Sequence, residues 1–129
     1  MKGISSNDFK VLLAEDDEVS IQYLNRFFSR NGAQVEVVQR GDWLLDTLTK
    51  GQFGLLVLDL QLHPLNALEL VRNIRKELKM NIPIIGLSTV DFNGRALGSG
   101  VDTVVRKPFE SKDLHRALYQ DLQLKAEQV

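Results

Sequence analysis

The hydrophobic residues of this chain change period again and again, and that alternation limits the fold more than any single motif does. Short apolar runs of strand type are each followed by a longer stretch with helical spacing. Lys10-Val-Leu-Leu-Ala14 leads into Val19, Leu24, Phe27 and Phe28, which read as one face of a helix stopped by Asn31-Gly32. Gln34-Val-Glu-Val-Val38 alternates polar and apolar residues, as a half-exposed edge strand does, and a short helix from about Asp42 follows. The runs over 53–59 and 82–87 are almost continuously apolar, as central strands covered on both faces must be. Between them, a helix over about 66–78 is expected to bury Leu68, Val71, Ile74 and Leu78. Arg72, Arg75, Lys76 and Lys79 gather near its C-terminal end, where the helix dipole favours cations, and read as a solvated face. A fourth helix is expected near 91–97 and a last strand near 101–105. A final helix, capped by Ser111, carries Leu114, Ala117, Leu118 and Leu122 in register, and the tail from Leu124 is free to fray.

Five such pairs predict an α/β fold: a doubly wound, five-stranded parallel sheet in the order 2-1-3-4-5, with helices on both faces. A single domain over 1–129, with its core at about 10–122, suits the length of 129 residues. In such a sheet the ligand crevice lies at the carboxyl ends of the strands. The strand ends carry Glu15-Asp16-Asp17 after the first, Asp59 after the third, Ser88-Thr89 after the fourth and Lys107 after the fifth.

Composition narrows the chemistry. A net charge of −1 offers no basic field for a nucleic-acid backbone, so direct nucleic-acid binding is not expected. With no cysteines, thiol catalysis and Cys-based metal sites are excluded, and a reducing compartment fits. No apolar run approaches the ~20 residues that cross a bilayer, and the start MKGISSNDFK lacks a signal-peptide apolar stretch, so a cytoplasmic protein without membrane partners is expected. Carboxylates crowded at the strand ends repel one another unless a cation sits among them, and an all-oxygen set suits Mg²⁺, or Mn²⁺ in its place. A carboxylate can also attack phosphorus, and a neighbouring ammonium and hydroxyl then balance the phosphoryl charge.

On the acidic doublet Glu15-Asp16, Asp59 closing Leu-Leu-Val-Leu-Asp, Ser88 closing Ile-Ile-Gly-Leu-Ser, and Lys107-Pro108-Phe109, the chain resembles the receiver domain of two-component response regulators, with a flavodoxin-like fold. The resemblance implies that Asp59 accepts a phosphoryl group from a histidine kinase or a histidine phosphotransfer domain. It implies that Glu15, Asp16, Asp59 and the backbone carbonyl of Gln61 hold Mg²⁺, that Lys107 pairs with the phosphoryl group, and that Ser88 moves to bond it. It also implies a cis Lys107-Pro108 peptide. Such a module signals to a downstream protein by contact and, beyond its own phosphorylation and dephosphorylation, is no enzyme.

The chain departs from the family pattern at several places. His63-Pro64 and Asn66-Ala67 replace the usual glycine-containing pairs. Thr89 stands where a smaller residue usually leaves room for phosphate. Val104 stands where an aromatic switch residue is expected, so any output is read differently. Ser88 and Lys107 are 19 positions apart, fewer than usual, which predicts a fourth helix about one turn short. These departures motivate an alternative, a pseudo-receiver that binds partners without phosphorylation. A metal-dependent phosphohydrolase is disfavoured because Gln61 stands where a general acid would. Gly86-Leu-Ser88 is not a nucleophile elbow, since position 90 is Val, and Gly98-Ser-Gly100 follows a helix rather than a strand. His63 and His115 read as surface residues and Trp43 as a packing residue.

Overall fold

A computed structural model of the chain describes residues 9–90 and 95–124. Its strands are β1 Lys10–Ala14, β2 Gln34–Val38, β3 Leu55–Asp59, β4 Ile84–Ser88 and β5 Thr103–Arg106. All pair in parallel, in the order β2-β1-β3-β4-β5. The helices are α1 Glu18–Arg30, α2 Leu44–Lys50, α3 Ala67–Lys76, α4 Arg95–Ser99 and α5 Ser111–His115. A 3₁₀ turn at Gly41–Trp43 leads into α2, and α5 widens into π-helical turns over Arg116–Asp121. The fourth helix expected near 91–97 is described only over Arg95–Ser99; residues 91–94 lie outside the described residues, as do 125–129 of the tail.

Successive strand residues point to opposite faces, so the apolar runs feed two cores. Leu12, Ala14, Leu56, Leu58 and Ile84 meet Leu44, Leu48, Val71, Ile74 and Ala96 from α2, α3 and α4. Val11, Leu13, Leu55, Val57, Ile85 and Val105 meet Leu24, Phe28, Leu114 and Leu118 from α1 and α5. β3 and β4 are buried along their whole length, whereas β2 exposes alternate residues at the sheet edge.

The helix faces differ from the sequence expectation in identifiable ways. In α1, Ile21 rather than Val19 completes the buried face with Leu24, Phe27 and Phe28, and Val19 is 75% exposed. Val19 sits five positions before Leu24, about 140° round the helix from it. In α3 the buried residues are Ala67, Leu70, Val71 and Ile74, with Leu68 half-buried. The helix ends at Lys76, and Lys79 takes a positive φ of 54°, so Leu78 leaves the stripe and is exposed. The N-cap of α5 is Glu110, whose N–H donates to the Asp113 carboxylate at 2.8 Å; Ser111 is the first helical residue. Trp43 is exposed, with the Arg40 guanidinium over its ring, rather than packed in a core. His63 is exposed, whereas His115 is half-buried, edge-on to Phe27 and stacked on Tyr119.

Arg75 is the largest departure from a solvated basic face. Its guanidinium donates to Gly100 O at 3.1 and 2.9 Å, to Met80 O at 2.9 Å, to Ile82 O at 2.7 Å and to Asp102 at 2.9 Å. It thus ties the end of α3 to the segments entering β4 and β5. Gly100, with φ of +118°, lies against the Arg75 stem, where a Cβ would come within 2.8 Å of Cγ. Replacing Arg75 with alanine strips three backbone carbonyls of a charged donor, and we expect a loss of about 2–3 kcal/mol. For a domain of this size that lowers the melting midpoint by roughly 10 °C. A thermal melt within a degree or two of wild type would show that water replaces the guanidinium without loss.

Candidate functional site

Four of the five strands place polar groups at or just beyond their last residues, at the same edge of the sheet. β1 delivers Glu15, whose N–H bonds Val38 O at 3.0 Å; β3 delivers Asp59; β4 delivers Ser88; β5 delivers Lys107, whose N–H bonds Ser88 O at 2.8 Å. Parallel pairing aligns these ends: Asp59 is opposite Leu87, and Ser88 opposite Arg106.

Glu15 is fully buried and Asp59 is 5% exposed, whereas Asp16 is open to solvent. Oxygens of these three carboxylates lie within 4.8 Å of one another. Glu15 Oε1 accepts the N–H groups of Asp16 and Asp17, both at 3.1 Å. Glu15 Oε2 faces Lys107 Nζ at 2.7 Å, and Asp59 Oδ2 faces the same ammonium at 3.8 Å. Asp59 Oδ1 accepts the Gln61 N–H at 3.0 Å, which fixes the carboxylate plane. Burial pushes the Glu15 carboxyl above its usual range, opposed by the Lys107 ammonium and the Asp17 N–H and reinforced by the charge on Asp59. Asp17 caps α1 by accepting from the Ser20 N–H at 3.0 Å and hydroxyl at 2.7 Å, and the hydroxyl bond is the main reason its carboxyl lies below the usual range.

This donor set is all oxygen, with two fixed, buried carboxylates and one exposed carboxylate that leaves room for water. It suits a hard divalent cation such as Mg²⁺. A single ammonium faces two buried carboxylates, so the cluster has the charge imbalance that such a cation offsets.

Ser88 is buried, and its hydroxyl donates to Val90 O at 2.8 Å and accepts from Val90 N–H at 3.0 Å. Thr89 is exposed, and both its N–H and its hydroxyl contact Gln61 Oε1 at 3.2 Å. The Gln61 side chain therefore bridges the loops after β3 and β4, a contact between distant segments to which no sequence pattern points. Val104 lies half-buried in β5 and packs toward the core under α3 and α4, away from the carboxylates. The Lys107-Pro108 and His63-Pro64 peptides are both cis. Ala67, in place of a glycine, is the first residue of α3, which Asn66 caps by accepting from Glu69 N–H at 3.1 Å.

A parallel sheet in this strand order, with acids and a lysine gathered at its carboxyl edge, defines a flavodoxin-like α/β domain of the receiver type. The family model for the response regulator receiver domain matches residues 11–119, and the chain belongs to that family, whose members serve two-component systems. It is 34% identical over 113 residues to the autoinducer 2 sensor kinase/phosphatase LuxQ of Vibrio vulnificus, covering 84% of this chain and 13% of that protein. The chain thus spans about an eighth of the length of that relative. Among solved structures, the Francisella response regulator 1452 receiver domain is 30% identical with a TM-score of 0.76, covering 83% of this chain and 90% of that one. The receiver domain of sensor histidine kinase PA1611 from Pseudomonas aeruginosa PAO1 shares the fold at 24% identity, with a TM-score of 0.77 over 89% of this chain and 98% of that one. No helix among the described residues is long and apolar enough to cross a membrane.

Proposed function

We propose that this receiver domain takes a phosphoryl group on Asp59 from a phosphohistidine of a histidine kinase or phosphotransfer domain. The reading is carried by the clustering of the Glu15, Asp16 and Asp59 carboxylates within 4.8 Å of one another, with the Lys107 ammonium facing Glu15 and Asp59. An Asp59 oxygen attacks phosphorus, the bond from phosphorus to the imidazole nitrogen breaks, and the departing imidazole takes up a proton. Asp59 Oδ1 is already oriented by the Gln61 N–H, which leaves Oδ2, the oxygen facing Lys107, as the nucleophile. Lys107 then pairs with the phosphoryl oxygens, and Ser88 gives up Val90 to donate to them.

Mg²⁺ held by Glu15, Asp16, Asp59 and the Gln61 carbonyl would neutralise charge on the transferring group. In its solved structure the PA1611 receiver domain has a magnesium ion coordinated in its active site cleft, which supports the same ion here. No external substrate is turned over, and the signal passes by protein contact. The cytoplasm is the compartment where such a kinase partner presents its phosphohistidine.

A second reading, a phosphorylation-independent interaction domain, is favoured by the bonds that tie Ser88 to Val90 and Thr89 to Gln61 over the site. Incubating the chain with a small-molecule phosphodonor, with and without Mg²⁺, and reading intact mass separates the two. We expect a single phosphate adduct that appears only with Mg²⁺. No adduct, in a protein that also fails to bind Mg²⁺, would establish the second reading.

A further inference from the structure

Away from the strand ends, α1 and α5 face each other across a cavity of about 290 Å³ to which none of Glu15, Asp16, Asp59 or Lys107 contributes. Its walls combine three unmet needs. Arg26 and Arg30 stand one turn apart on α1, where like charges repel, and neither meets a carboxylate among the described residues. His115 adds an imidazole from α5, its ring held edge-on to Phe27. The Tyr23 and Ser111 hydroxyls lie 2.8 Å apart across the cleft; the pair carries two protons and its mutual bond uses one, so one remains to be donated. Asn31 closes the cavity, only 2% exposed. Its Nδ2 donates to Phe27 O at 2.8 Å, while its Oδ1 is buried without a donor among the described residues. A buried acceptor left unpaired is a standing cost that a ligand hydroxyl, or a water carried in with it, removes.

Guanidiniums present planar forks that match phosphate oxygens two at a time, so a pair of them one turn apart suits a dianion better than a carboxylate. The cavity has the volume of a small-molecule site. We propose that the cleft between α1 and α5 binds a small phosphate monoester bearing hydroxyl groups. Arg26 and Arg30 clasp the phosphate, the hydroxyl pair donates to it, and Asn31 Oδ1 takes a proton from the organic portion or its water. Tyr23 also packs edge-on against Phe109 at 5.7 Å, two residues beyond Lys107, so the occupant acts next to the strand-end site without sharing its residues.

The test is backbone amide NMR of the full chain without Mg²⁺, titrated separately with glycerol 3-phosphate, inorganic phosphate and glycerol. Saturable shifts centred on Arg26, Asn31 and Ser111 with the ester are expected, weaker binding of inorganic phosphate, and none of glycerol. The double variant Arg26→Gln/Arg30→Gln, altered only at exposed positions, should keep its melting midpoint and bind the ester at least about tenfold more weakly, a loss of about 1.4 kcal/mol. The absence of saturable shifts in the cleft overturns the proposal, as do shifts centred on Asp59 and Lys107, or an affinity the double variant leaves unchanged. Inorganic phosphate binding as tightly as the ester overturns the role of the hydroxyls.

Discussion

Asp59→Asn is expected to abolish the Mg²⁺-dependent phosphate adduct completely while leaving the fold at least as stable as wild type. The amide is nearly isosteric with the carboxylate, and its oxygen can still accept the Gln61 N–H that holds Asp59 Oδ1 at 3.0 Å. What disappears is the charge, and with it the nucleophile. The same charge disfavours ionisation of the buried Glu15 next to it, so its removal relieves a repulsion inside the cluster. The 3.8 Å pair with Lys107 is long, and its loss subtracts little. We therefore expect a melting midpoint equal to or above that of wild type, by about 1 kcal/mol at most, as is common where an active site holds unfavourable contacts for the sake of reactivity. Intact mass after phosphodonor treatment, beside a denaturation curve, tests both halves. Adduct persisting on the variant would move the acceptor to another residue, and a large fall in stability would make Asp59 a structural acid.

Lys107→Met is expected to produce the largest loss of stability, and a pH-dependent one. Methionine keeps the length and apolar stem of the side chain but leaves Glu15, fully buried, without the ammonium that lies 2.7 Å from its Oε2. Removing one partner of a buried pair costs about 3–5 kcal/mol, and the partial exposure of Lys107 places the expectation near 3 at pH 7. The sign of the pH effect follows from Glu15. Its folded pKa is raised above the unfolded value, chiefly by burial, so the folded state binds its proton more tightly. Stability is then highest below the unfolded pKa and is lost as pH rises through the folded one. Lysine opposes that rise; without it the folded pKa climbs further and the window of loss extends upward. The variant should thus lie closest to wild type in mild acid and furthest from it at neutral pH. Denaturant midpoints across that range that run parallel to wild type would show that Glu15 finds another counter-charge.

The parts of the molecule that could be read from the sequence share one property: the physical signal was local. β3 and β4 announce burial on both faces by their unbroken apolar runs, and β2 its edge position by alternation. Glu15, Asp16, Asp59 and Lys107 came into view because topology alone brings strand ends together. The signals that failed depended on partners far along the chain or on the exact helix phase. Arg75 looks like any helix cation until Gly100 and Asp102 fold back onto it. Val19 is apolar and near the right spacing, but Ile21 has the phase that reaches the core. Leu78 fits the period of α3 and fails only because the helix stops at Lys76. The Gln61 side chain meets Thr89 across two loops, a contact that no periodicity encodes.

The ion pair between Glu15 and Lys107 also has a consequence in time. The acid is committed to the interior at the end of the first strand, and the one cation paired with it among the described residues, Lys107, arrives just after the last. During synthesis, which proceeds from the N-terminus at roughly 5–20 residues per second, every species that lacks β5 holds an unneutralised acid or leaves that end of β1 undocked. Partly made sheets are therefore penalised at the very place where the finished one works. β1 is held by its ladders to β2 and β3, but the acid at its end meets the Lys107 ammonium only when the fifth strand closes beside the fourth, so that part of the pocket is completed with the fold.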